Sequence, residues 1–478
     1  MSTLERVNAY VRGSATIKLI GVAILALLLL IPAAMVDSLV YERQNLRDRA
    51  VEEIASTWGA SQRLAGPVLQ VPYAEDIRID DKVVTRRGSA YFLPEAVRID
   101  GATRSEERYR GIYVAVLYTG EVSVSGAFGR LATDRLDVPA AALDWSRAAL
   151  TFGVTDLRGI DSLSALRFGG ARVAFEPGLP SGALLSSGFQ APLSLAGPAD
   201  SVAFDFRLAV RGSSALTFSP LAADTDVALD SDWGTPKFVG AFLPDDRDIG
   251  EAGFGASWSV LEVNRPFAQE GTLQSGASGL APPMDLSSEA AYERYTRYAS
   301  VPGSYNDGQV YGGYDFGVRF LLPVDEYRKI DRSAKYSALF IAATFLTFFF
   351  IEVLNRRRIH PVQYLLIGFA VVLFYVLLLS LSEHLGFDAS YAISVALILG
   401  LITAYAYSQL RSVKLTGLVA GVLAVLYVFF YSLLQLEDYA LLLGSFGLLL
   451  ALATVMWLTR RTDWYDLGRG AAPSTADR

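Results

Sequence analysis

Apolar residues along this chain come in blocks. Leu19–Val36 is free of charge over 18 residues, and the stretch after Tyr336 is a series of apolar blocks separated by short charged breaks. A helix rises about 1.5 Å per residue, so about 20 apolar residues cross about 30 Å of hydrocarbon. On that measure six membrane spans are predicted, at 15–36, 336–354, 361–382, 389–410, 415–436 and 439–459. The first has a longer apolar core than a signal peptide, and Pro32-Ala33-Ala34-Met35 is a poor cleavage site, so its retention is expected.

The breaks between blocks alternate in sign. Arg356, Arg357 and Arg358 are basic; Glu383, His384 and Asp388 follow as an acidic turn; Arg411 and Lys414 are basic; Glu437 and Asp438 are acidic; Arg460 and Arg461 close the series. Basic connections stay in the cytoplasm. Tails 1–14 and 460–478 are therefore expected inside, and residues 37–335 outside.

The polar middle follows a different rule. Residues 37–63 read as a charged helical stalk broken at Gly66-Pro67, and 325–335 as a second juxtamembrane helix leading into the next span. Between them, 64–324 show short alternating runs at Ile112–Leu117, Val202–Val210, Trp258–Val263 and Gly317–Leu322, with Gly, Pro, Ser and Asp clusters between them. Ser275–Ser287 reads as a loop. Alternation of period two with frequent turns predicts strands. The expected fold is mixed: an α-helical bundle of six spans plus a large all-β domain, a sandwich or a pair of sandwiches.

Composition then narrows the chemistry. The net charge is -7 with no long basic run, which argues against nucleic acid as a partner. There is no Cys, and the two His, His360 and His384, both lie outside the β region, so neither a thiolate or His-rich metal site nor a Ser-His-Asp triad is available there. No Lys follows a Gly, which removes the P-loop. No cofactor or metal is expected, and the chain reads as a non-enzyme. Two other readings stay open, a lipid or small-molecule transporter through the bundle and a carboxylate-based hydrolase.

Glu383, His384, Glu437 and Asp438 fall on one side of the membrane and form a candidate cluster for a cation, an amine headgroup or a basic segment; the simpler reading is acidic turns. Arg356, Arg357 and Arg358 read as a topology anchor or a site for anionic lipid. Glu352 is placed to pair with Arg356 four residues on. Gly417-x-x-x-Gly421, Gly444 and Gly447 read as close helix contacts. Tyr405, Tyr407, Tyr431, Tyr439, Trp457 and Trp464 read as interface anchors.

Several stretches carry a resemblance over nearly the full length. They are Glu42-Arg43-Gln44-Asn45-Leu46-Arg47-Asp48-Arg49-Ala50, Leu64-Ala65-Gly66-Pro67, Phe320-Leu321-Leu322-Pro323-Val324-Asp325-Glu326-Tyr327, Lys335-Tyr336, Arg358-Ile359-His360-Pro361-Val362-Gln363-Tyr364, Ser380-Leu381-Ser382-Glu383-His384 and Gln435-Leu436-Glu437-Asp438-Tyr439. In these the chain resembles the bacterial inner-membrane CreD family of cell envelope integrity proteins. The resemblance implies a multi-pass inner-membrane protein with a periplasmic domain, tied to an envelope stress response, and no established enzymatic activity. A periplasmic protein, a lipid or a cell-wall component is the expected partner beside the bilayer.

Overall fold

The computed structural model describes residues 15–79, 82–181, 183–265, 268–274, 314–321, 326–355, 359–436 and 439–460. The chain divides into two units, Met1–Asn45 with Val324–Arg478, and Leu46–Pro323.

Helix α1 (Ala15–Trp58) is unbroken, so the predicted first span and stalk are one element. Its residues up to Asn45 count with the membrane unit and those from Leu46 with the β unit. The helix ends at Trp58, before the Gly66-Pro67 pair expected to break it. Gly59 ends it with a positive φ of 152°, where an added Cβ would meet the backbone oxygen of Arg211 at 2.7 Å. Only glycine fits that turn.

The membrane unit continues with α2 (Glu326–Lys335), α3 (Ser337–Leu354), α4 (Pro361–Leu385), α5 (Phe387–Leu410), α6 (Val413–Gln435) and α7 (Ala440–Thr459). Five helices of the described residues are long and apolar enough to cross a membrane, and a sixth counts when Lys329–Lys335 and Ser337–Val353, bent by 48°, form one span. Helix α2 packs against the other helices of this unit. Its Ile330, Ser333 and Ala334 face is buried in the bundle, and Lys329 donates to Gln435 Oε1 at 3.0 Å. An amphipathic sequence buries its small and apolar stripe wherever a partner surface is offered.

Aromatic rings fill the space between α3, α4, α5 and α6. Phe340 lies 4.4 Å from Tyr427 by ring centroids, and Phe374 packs at 5.1 Å from Tyr427 and 5.4 Å from Tyr391. Offset and edge-on rings pack densely and are favourable beyond their buried area.

The β unit holds two nine-stranded sheets among the described residues. The first runs β14 (Pro236–Gly240), β18 (Phe316–Phe320), β12 (Ala215–Ser219), β1 (Gln62–Ile79), β5 (Ala148–Val154), β10 (Gly188–Leu193) and β9 (Glu176–Pro177), with β2 (Lys82–Phe92) and β17 (Glu270–Gln274) branching from β1. The second runs β15 (Asp246–Gly250), β16 (Gly253–Leu261), β13 (Asp224–Ser231), β3 (Ala96–Arg110), β4 (Tyr113–Phe128), β11 (Val202–Ser213), β7 (Leu166–Phe168) and β8 (Ala171–Val173), with β6 (Ile160–Leu163) beside β11.

One core lies between the sheets, with Phe152, Phe218 and Phe316 from the first meeting Phe128, Phe206 and Trp258 from the second. The unit is thus one sandwich and not a pair. Along β11, Phe204, Phe206, Leu208 and Val210 point inward and Arg207 outward, the predicted alternation. Each fully buried Phe contributes about 1.5–3 kcal/mol of transfer free energy.

Candidate functional site

Of the predicted cluster, the described residues include Glu383 and His384. Glu383, in the last turn of α4, is 10% exposed and pairs with Arg43 of α1 at 3.7 Å. His384 is exposed in the same turn. Glu437 and Asp438, like Arg356, Arg357 and Arg358, lie outside the described residues. The acidic turn between α4 and α5 has a second member. Asp388 Oδ1 accepts from Gln435 Nε2 at 2.6 Å and from the Tyr431 hydroxyl at 3.1 Å. Tyr431, read as an interface anchor, belongs to this network, which extends through Gln435 to Lys329. An acidic residue in the first turn of a helix is favoured there by the helix dipole.

The opposite end of the bundle holds Glu352, with partners from distant elements that spacing along one helix does not name. Glu352 is 4% exposed; Oε1 accepts from Lys18 Nζ at 2.8 Å and Oε2 from the Tyr364 hydroxyl at 2.9 Å. Its described partners come from α1 and α4, not from the neighbouring turn. Removing one partner of a buried polar pair leaves the other uncompensated, so such contacts are retained together. His360, beside the basic run, caps α4: its Nδ1 accepts from Val362 N, and Gln363 Oε1 accepts from His360 N at 3.0 Å. That is a capping box, a structural role.

In the β unit the outer face of the second sheet is concave. A groove of about 1110 Å³ opens there. Read across the strands, one row runs Ala209, Glu121, Ala102, Asp230, Gly255 and Asp248, each opposite the next on β11, β4, β3, β13, β16 and β15. Carboxylates alternate with residues of one side-chain carbon or none, and the Asp230 carboxylate leans over Gly255, 3.1 Å from where a Cβ would stand. The adjoining row carries Arg211, Thr119 and Arg104. Among the described residues no group of three or more His, Cys, Asp or Glu could hold a metal ion.

Arg211 connects the groove to the end of α1. It pairs with Asp161 in the groove wall, and its guanidinium lies 5.3 Å from the Trp58 ring, where Arg108 also sits at 4.9 Å. Trp58 Nε1 donates to Tyr118 O at 3.4 Å, and Ile54 is buried against Ala115 and Leu117. Asp156 fastens the same turn by accepting from Ala60 N at 3.1 Å and from Arg158. Burial opposes ionisation of Asp156, but the bonds from the Arg158 side chain and from the Ala60 and Arg158 amides outweigh it and hold the carboxyl below its usual range. Sequence reasoning missed this groove. Its carboxylates lie on different strands, and neither spacing nor motif links them.

Comparison with known proteins bears on both units. The Escherichia coli inner membrane protein CreD is 32% identical over 448 residues, 92% of this chain and 91% of that protein. Among solved structures, an M1 zinc metallopeptidase from Deinococcus radiodurans in a substrate-bound mutant form aligns over 80% of this chain and 95% of that chain at 11% identity and a TM-score of 0.20. A second structure of that peptidase aligns over 70% and 86% at 10% identity and a TM-score of 0.19. Neither overlap supports an argument about fold or activity. The family model for the inner membrane protein CreD matches residues 14–465, and with these apolar helices the chain belongs to the CreD family of multi-pass inner-membrane proteins.

Proposed function

We propose that this chain is a non-enzymatic inner-membrane protein that supports cell envelope integrity, with its β unit on the periplasmic side binding an envelope component or a partner protein. Both chain ends lie in the cytoplasm in this reading. The sign alternation of the connections supports that orientation, since basic residues are retained inside. The observation that carries the binding role is the open groove on the second sheet, whose floor at Ala209 and Ala102 carries no large side chain. Concave sites with a few placed polar groups are where ligands bind. The aromatic filling of the bundle gives no comparable support to transport.

The test is photocrosslinking in living cells from a photoreactive residue placed at Ala102 or Thr119, with Val263, which is 88% exposed, as the control position. A defined envelope component captured from the two groove positions and not from Val263 is the expected result. No capture from the groove, or the same products from all three positions, would remove the binding role.

A further inference from the structure

We draw no further inference here: the strongest candidate, the buried side-chain cluster of Glu352 with Lys18 and Tyr364 between α1, α3 and α4, belongs to the site already described, and both of its carboxylate oxygens are taken by those two partners, which leaves nothing that points to a ligand.

Discussion

Glu352 shows how far a single residue can be read from its neighbours. Spacing offers Arg356, which lies outside the described residues, as a helix-surface partner; the partner that the fold brings, Lys18, is 334 positions away. Spacing along a helix lists the pairs one element offers; burial then demands whichever partner another element brings. Asp156 carries a testable consequence at this scale. Its carboxyl is held below the usual range in the folded protein, so its contribution is complete above the unfolded value, about pH 3.9, and is lost as pH falls through the lower folded value. Asp156→Asn should therefore destabilise the β unit at neutral pH and converge with the unaltered protein in strong acid. Thermal unfolding followed by near-ultraviolet circular dichroism from pH 7 to pH 2 checks this. A constant gap across that range would show that the carboxylate charge contributes nothing.

Among the helices, glycine positions separate two kinds of surface. Gly417 and Gly421, read as a close-packing pair, have open space where a Cβ would stand. The close approaches occur at Gly368 of α4, which receives Leu29 of α1 and Phe345, and at Gly447 of α7, which receives the Phe429 ring. Leu29 is fully buried, so α1 packs into the bundle as a member of it. Gly368→Val and Gly447→Val should each lower stability by about 1–3 kcal/mol through overpacking, while Gly417→Val should be close to neutral. Melting temperatures of the detergent-purified variants decide this; a loss at Gly417 equal to that at Gly368 would mean α6 is packed on the face that stands open here.

For the whole molecule, orientation is the property on which location and partners depend. The chain has no Cys, so single substitutions label without background. His384→Cys and Lys414→Cys place one thiol at each end of the bundle, both at exposed positions. With the outer membrane permeabilised, a membrane-impermeant maleimide should label His384→Cys in intact cells and Lys414→Cys only after the inner membrane is opened. The reverse pattern would put the β unit in the cytoplasm and end the envelope-binding role.

The long apolar helices were legible in the sequence because transfer into hydrocarbon is a sum over consecutive residues, and charge ends each sum where it occurs. The strands of the β unit were legible for a similar reason, since alternation along β11 is a local property that survives any pairing. The groove was not. Glu121, Asp230 and Asp248 share a row only because β3 and β13 pair in parallel and β15 returns beside β16. Register is set by which strands meet across more than a hundred residues, and a shift of one residue would turn every carboxylate to the other face. Burial length belongs to the chain; the meeting of distant side chains belongs to the fold.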